Sequence, residues 1–199
     1  MESTESTVEH RIYLLGDEVL KTKCCEVSKE EILNSSTLAQ QVSVAHEALD
    51  DFRKANGFGR AIAAPQLGFS LQFIALNLPD KGSLTMFNPL ITQRSDDTFT
   101  MWDDCLSFPH LMVCVRRHVS IDVEYTDDNG ESVRWENIDQ ALSELLQHEI
   151  DHLHGILSVD IACPPSNNAE CPGVVDRKDW IENKSLYVSY VDDYCIPTD

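Results

Sequence analysis

The pentapeptide His148-Glu149-Ile150-Asp151-His152 constrains this chain more than any other part of its sequence. On an α-helix, side chains four residues apart project from nearly the same face. His148 and His152 can therefore bind one metal ion, while Glu149 lies about 60° round the helix from His152. That offset suits a carboxylate that transfers protons beside a metal better than it suits a third ligand. The alternative is a surface helix that carries these residues by chance, because short motifs produce false positives.

The residues around this pentapeptide predict a buried helix. Apolar side chains recur there at helical spacing, at Ala141, Leu142, Leu145, Leu146, Ile150 and Leu153. Asp139 is a candidate N-cap, and Gly155 stands where a helix would end. Two inward histidines would be costly to bury unless a metal satisfied them. We interpret Asp151 as a capping or surface charge, and His154 as a solvent-facing or second-layer residue that is not a ligand.

A site with two histidines needs one more protein ligand, and the sequence offers two candidates. Glu170 would complete a site of the zinc-protease type, but its surroundings predict a loop where such a protease has a second helix. Cys105 is the competing candidate. An isolated cysteine is by default a small buried hydrophobic residue, so the residue types alone leave this choice open.

Three segments in a fixed order make the chain resemble the peptide deformylase family. The three signature motifs of that family have counterparts in Gly59–Gln66 (GRAIAAPQ), Asp103–Ser107 (DDCLS) and His148–His152 (HEIDH). Weaker similarities occur at Leu15–Leu20, Phe87–Pro89 and Gly155–Asp160. The resemblance covers about residues 10 to 162, and three ordered motifs support it far better than one would.

The resemblance implies a role for each motif residue. Cys105, His148 and His152 would bind the metal, and Glu149 would act as general base and then as general acid. The side chain of Gln66 and the backbone N–H of Leu106 would form the oxyanion hole. The substrate would contact the residues of the adjoining pocket, namely Gly59, Arg60, Ala61, Asp104 and Glu144.

The predicted cofactor is one divalent metal ion. A thiolate and two imidazoles leave a fourth position for water, whose pKa a metal lowers towards neutrality. This ligand set suits Zn(II), Fe(II), Co(II) or Ni(II) and does not distinguish among them. The resemblance implies Fe(II) in cells, often replaced by zinc or nickel during purification.

Several side chains near the expected pocket differ from those the family usually carries, at Arg60, Ala61, Asp104 and Glu144. Charges are unfavourable in a pocket for an apolar methionine side chain unless they are paired. We hypothesise that the metal chemistry is retained while the side-chain preference is altered or narrowed, with Arg60 and Glu144 paired across the pocket. The alternative is that Arg60 points to solvent. Asp103 replaces the longer glutamate of the family, and we expect Arg117 to pair with it.

The remaining pattern predicts an α+β fold with antiparallel β-sheets packed around the metal-binding helix, as in the family. Residues 36–54 form an amphipathic helix that Gly57 ends. Strands are predicted at residues 71–78, 85–92, 119–125, 133–135 and 186–191. Asn129-Gly130 indicates a hairpin turn between two of them.

Length and composition suit one globular unit with a sizeable core, since 42% of the 199 residues are hydrophobic. We predict a deformylase-like catalytic domain at residues 1–163 and a divergent C-terminal extension at 164–199 packed on the same domain. Bacterial family members often end in a helix implicated in ribosome docking. The acidic segment Val191–Tyr194 does not favour that partnership here.

Net charge and cysteine content limit which partners and which cellular compartment are compatible with this sequence. A net charge of −19 argues against direct binding of nucleic acid, and no apolar run reaches membrane-spanning length. The start of the chain resembles neither a secretory signal nor a transit peptide. Seven cysteines without paired zinc-finger spacing favour a reducing compartment. We predict an intracellular protein, cytoplasmic or organellar, whose partner is an N-formylated peptide substrate.

Three function classes follow. The first is a metal-dependent hydrolase that removes the formyl group from the N-terminal methionine of nascent peptides and releases formate. The second is a related deformylase or amidohydrolase with another substrate preference, which the pocket charges favour. The third is a catalytically silent relative that binds metal or peptide, against which the intact ligands and Glu149 argue.

Overall fold

The computed structural model describes residues 11–165 and 170–191. Its α-helices are α1 Lys29–Asn34, α2 Ser36–Asn56, α3 Gln140–Leu153, α4 Arg177–Glu182 and α5 Lys184–Val188. Its strands are β1 Ala61–Ala63, β2 Phe73–Leu78, β3 Gly82–Arg94, β4 Thr98–Asp103, β5 Leu111–His118, β6 Ile121–Thr126, β7 Ser132–Ile138 and β8 Val174–Asp176. No helix in these two ranges is long and apolar enough to cross a bilayer.

The strands form two antiparallel sheets. One has five strands in the order β1-β2-β3-β6-β7, and the other has three in the order β4-β5-β8. Helix α3 packs against the five-stranded sheet, where Leu146 and Leu153 are fully buried in one apolar cluster with Met86, Ile121 and Val123. The predicted α+β class, with antiparallel sheets around the helix that carries the histidines, is confirmed.

Helix α2 matches its prediction and extends two residues beyond it. The side chain of Ser35 accepts a hydrogen bond from the Leu38 N–H at 3.2 Å, which caps the N-terminus. Gly57 ends the helix with a φ of 76°, a left-handed conformation that glycine adopts without steric cost. The buried face of α2 packs on β1 and β2 and so supports the loop that leads into β1.

Helix α3 begins and ends at the predicted residues. The Asp139 side chain accepts a hydrogen bond from the Leu142 N–H at 3.1 Å. Gly155 follows the C-terminus with a φ of 74°, and a Cβ at this position would lie 2.5 Å from the carbonyl oxygen of Lys21. Glycine is therefore required here both by backbone conformation and by the close approach of another segment.

The predicted strands between residues 71 and 135 are confirmed, and the hairpin turn lies between β6 and β7. The predicted strand at residues 186–191 is wrong, because this segment forms α5 and a turn. Tyr187 packs edge-on against Trp102 with 5.3 Å between ring centroids, and the Trp102 indole N–H donates to the Tyr187 carbonyl. These tertiary contacts override the strand propensity of a segment rich in tyrosine and valine.

The part of the chain after residue 165 contributes the third strand of the three-stranded sheet. Strand β8 pairs with β5, and α4 follows it directly. Of the acidic end, Asp192–Tyr194 lies outside the described residues, and the domain boundary at residue 163 remains a prediction.

Candidate metal centre and adjoining cavity

Three buried donor atoms converge from two elements of the fold. His148 and His152 lie on α3, and Cys105 lies just after β4. The two Nε2 atoms are 3.2 Å apart, and the Cys105 Sγ lies 3.3 Å from Nε2 of His152. In the described part of the chain this is the one group of three or more such donors with all ligand atoms within 4.8 Å of one another. The structure therefore brings the three predicted ligands together.

The arrangement fits a divalent metal ion. Zinc-type bond lengths of about 2.0–2.1 Å to nitrogen and about 2.3 Å to sulfur place tetrahedral ligand atoms about 3.3–3.6 Å apart. The observed separations of 3.2 and 3.3 Å are close to that spacing. Nδ1 of His148 lies 2.8 Å from a carboxylate oxygen of Asp103, which as an ionised group can only accept a hydrogen bond. Nδ1 therefore carries the hydrogen, and Nε2 is left free to bind metal.

Asp103 is the centre of a buried network behind the ligands. It accepts hydrogen bonds from Ser158 at 2.9 Å and from Arg117 at 3.4 Å, in addition to His148. Burial opposes ionisation of Asp103, but the cationic and hydrogen-bonding neighbours outweigh it, so its pKa lies below the usual range. The predicted Asp103–Arg117 pair is confirmed. The interpretation of Asp151 as a capping or surface charge is wrong, because Asp151 also binds the buried Arg117.

Glu149 lies beside the metal ligands and not among them, as the helix geometry predicts. The residue is buried, and its Oε2 atom has no hydrogen-bond partner. It lines the cavity that adjoins the histidines. Burial raises the pKa of this carboxyl to about 7. A buried acceptor without a partner indicates a place where a water molecule or substrate binds.

Gln66 and Leu106, the predicted oxyanion-hole residues, both lie next to Cys105. The amide Nε2 of Gln66 is 3.5 Å from the Cys105 Sγ and 3.1 Å from the Ser107 Oγ, to which it donates. Its Oε1 accepts a hydrogen bond from the Ala63 N–H at 2.8 Å, which orients the amide group. Leu106 lines the cavity. Their catalytic roles remain predictions.

A cavity of about 110 Å³ opens beside His148 and Glu149. All five predicted substrate-binding residues line it, namely Gly59, Arg60, Ala61, Asp104 and Glu144. Phe58 and Leu145 are among the other residues that line it. The contacts of the five predicted residues with a substrate remain a prediction.

Arg60 and Glu144 form an ion pair in the cavity wall. Nη2 of Arg60 donates to Oε1 of Glu144, and its Nη1 donates to the Ala141 carbonyl at 3.0 Å. The Glu144 side chain is 7% exposed and that of Arg60 23% exposed. Burial raises the pKa of Glu144, and Arg60 partly offsets this effect. The predicted pairing is confirmed, and the alternative in which Arg60 points to solvent is wrong.

Two other candidate residues lie outside the ligand group. Glu170 is exposed and does not join the donors, so the alternative ligand set of a zinc protease is not formed in the described residues. His154 places Nδ1 2.8 Å from the Ile150 carbonyl at the end of α3, in agreement with its interpretation as a residue that does not bind metal.

Sequence reasoning missed Ser158 and Arg177. Ser158 lies in a segment that was identified only by resemblance, and its hydrogen bond to Asp103 depends on the turn after α3. Arg177 donates to Asp104 from α4, 73 residues further along the chain. No local pattern indicates either contact, because both depend on how distant segments pack.

Comparison with known proteins agrees with this geometry. Residues 9–168 match the family model described as polypeptide deformylase. The chain is 31% identical over 163 residues to a peptide deformylase from Synechocystis, covering 80% of this chain and 82% of that protein. The crystal structure of the peptide deformylase from Thermotoga maritima is similar with a TM-score of 0.69 and 30% identity, covering 78% of this chain and 98% of that one.

A Met-Ala-Ser-bound class I type b peptide deformylase from Acinetobacter baumannii is also similar, with a TM-score of 0.66 and 30% identity. The match covers 75% of this chain and 96% of that chain. Sequence and fold agree over the part that carries the donor atoms and the cavity. The chain therefore belongs to the polypeptide deformylase family, the metal-dependent hydrolases that remove the formyl group from the N-termini of nascent peptides.

Proposed function

We propose that this chain binds the N-terminus of a formylated peptide in the cavity beside α3, cleaves its formamide bond and releases formate. One observation carries this proposal: a thiol and two imidazoles converge beside a cavity that is also lined by Glu149, whose Oε2 atom has no hydrogen-bond partner. Cys105, His148 and His152 would hold one divalent ion, which we propose to be Fe(II) in cells. When bound, such an ion acidifies water and polarises a carbonyl group.

The protein residues supply the proton transfers and the orientation. Glu149 would accept a proton from the water that attacks the formyl carbon and would then deliver it to the nitrogen of the departing amine. The Gln66 amide and the Leu106 N–H would donate hydrogen bonds to the oxygen on which negative charge develops. Asp103 would hold His148 in the orientation that directs Nε2 inward.

The ion pair in the cavity wall supports a narrower or altered side-chain preference. By the family resemblance, Arg60 and Glu144 occupy positions that usually carry apolar residues, and their charged groups contact each other directly. A largely buried charge pair presents a polar surface to an entering side chain, which is less favourable for an apolar side chain than for a polar one. This observation favours the second candidate, a deformylase whose substrates differ from formyl-methionine peptides in the first side chain.

An anaerobic assay of the Fe(II)-loaded protein on formyl-Met-Ala-Ser tests the proposed reaction. We expect formate release by the parent protein and a loss of about 10²–10⁴-fold in kcat for Glu149→Ala, because the proton-transfer group is missing. Glu136→Ala, at an exposed position on β7, is the matched control and should retain full activity. Metal content should be the same in all three proteins. A fully loaded parent protein that releases no formate from formyl-Met-Ala-Ser, nor from formyl peptides with a polar first residue, contradicts the proposal.

A second assay tests the preference of the cavity for the first side chain of the substrate. Formyl peptides that differ only in the first residue, methionine or a polar side chain of similar length, are compared by kcat/KM. We expect the ratio to shift towards methionine in Arg60→Leu/Glu144→Leu, in which an apolar pair replaces the ion pair. A strong preference of the parent protein for formyl-Met would exclude the altered pocket.

A further inference from the structure

Arg177, the first residue of α4, connects two walls of the cavity. Its Nη2 donates to Oδ2 of Asp104, and its guanidinium carbon lies 4.4 Å from the ring centroid of Phe58. Asp104 and Phe58 both line the cavity, the first just after β4 and the second just before β1. One side chain from the segment after residue 165 thus contacts both walls at once.

Hydrogen bonds hold the backbone of Arg177 in place. Its N–H donates to the His110 carbonyl at 2.7 Å, and the preceding strand β8 pairs with β5. The Asp176 side chain caps α4 by accepting a hydrogen bond from the Lys178 N–H at 2.8 Å. The guanidinium therefore extends from a fixed point and does not depend on a loop for its position.

The contacts of Arg177 affect the segments that carry the site. Asp104 stands between Asp103, which orients His148, and Cys105, one of the predicted metal ligands. On the other wall, Phe58 is followed directly by residues that line the cavity. The Arg177–Asp104 pair is partly exposed and would contribute little stability alone. Together with the stacking on Phe58, it links the two walls.

We infer that Arg177 is a positioning residue for the peptide substrate, which sets the width of the cleft by bridging Asp104 and Phe58. Arg177 lies beyond residue 168, where the family match ends, and by the family resemblance Asp104 stands at the position of the glycine of the second motif. The inference rests on the proposed function, since a cleft for a formylated peptide is what the bridge would define.

Peptide binding and turnover of Arg177→Met test this inference. Methionine retains much of the length of arginine but has neither the charge nor the planar group. We expect KM for formyl-Met-Ala-Ser and the dissociation constant of the product Met-Ala-Ser to rise about fivefold or more, with kcat changed by less than about twofold. Arg177→Lys, which retains the charge without the planar stack, should recover part of the affinity.

Variants at the other ends of the bridge make the test independent of the folding of Arg177→Met. Phe58→Leu and Asp104→Asn should each raise KM, and adding Arg177→Met to either should raise it little further, because the same bridge is already broken. Arg134→Met is the control: this arginine is half-exposed on β7, forms an ion pair with Asp122 and does not line the cavity. It should leave both constants unchanged.

The outcomes separate the inference from the proposed function. Unchanged KM and unchanged affinity for Met-Ala-Ser in Arg177→Met, with an active parent protein, overturn the inference and leave the function intact. A fall in kcat with loss of bound metal also overturns it, since Arg177 would then support the Cys105 loop and not the substrate. If the parent protein does not release formate, the proposed function fails, while the Met-Ala-Ser affinities still decide whether the bridge positions a peptide.

Discussion

At the scale of single residues, one group of buried polar side chains around α3 is held together by mutual hydrogen bonds. Asp103 receives hydrogen bonds from His148, Ser158 and Arg117, and Arg117 is shared with Asp151. The family resemblance, and not a local pattern, predicted the Asp103–Arg117 pair. It did not predict the role of Asp151, whose position in the pentapeptide gives no sign of a buried partner on β5.

The charge of Asp103 should be important for metal binding. We expect Asp103→Asn to lower metal affinity about 10–100-fold, because the amide no longer fixes the tautomer and orientation of His148 as a carboxylate does. Competition with a chromophoric chelator measures this affinity. Asp97→Asn, at an exposed position before β4, is the control and should bind metal as the parent protein does. Equal affinities of Asp103→Asn and the parent protein would contradict this role.

At the scale of secondary-structure elements, the helices and strands with the strongest local sequence pattern were predicted most accurately. Helices α2 and α3 were predicted nearly to the residue, because each combines an apolar stripe with caps that are visible in the sequence. The three-stranded sheet was not predicted: neither β4 nor β5 was identified as a strand, and β8 reaches β5 from a distant part of the chain. The strand expected at residues 186–191 is helical because packing against Trp102 decides its conformation.

Glycine at position 155 should stabilise the turn after α3 for two reasons: its left-handed backbone conformation and the close approach of Lys21. Gly155→Ala would place a Cβ 2.5 Å from the Lys21 carbonyl, in addition to the cost of a left-handed backbone. We expect a loss of about 2–4 kcal/mol in the free energy of unfolding, measured by urea denaturation.

Gly82→Ala is the matched control for this prediction. Gly82 has a similar φ of 70°, and a Cβ there would have no neighbour within 4 Å. We expect this variant to lose only about 1–2 kcal/mol, the conformational cost of the left-handed backbone. Equal losses in both variants would show that the contact with Lys21 relaxes freely.

At the scale of the whole molecule, the predicted metal ion would join two parts of the fold that pack in different apolar clusters. Cys105 lies in an apolar cluster with β5, whereas the apolar face of the helix that carries both histidines packs on the five-stranded sheet. The residue types predicted the donors, but they left Glu170 and Cys105 as open alternatives until the packing placed them. Arg177 shows the same limit, because no pattern near residue 104 indicates a partner in α4.

Removal of the metal should therefore destabilise the whole fold. A ligand that binds only the folded state stabilises it by about 4 kcal/mol when present at 1,000 times its dissociation constant. We expect the loaded protein to have a clearly higher Tm than the metal-free protein in differential scanning calorimetry. In Cys105→Ala the difference between loaded and metal-free protein should shrink, and an unchanged difference would exclude Cys105 as a ligand.

X-ray absorption spectroscopy of the zinc-substituted protein tests the central claim most directly. The account predicts one sulfur at about 2.3 Å and two imidazole nitrogens at about 2.0–2.1 Å, with a light atom in the remaining position. The sulfur contribution should disappear in Cys105→Ala. A spectrum of the parent protein without sulfur, or with fewer than two imidazole ligands, would contradict the account.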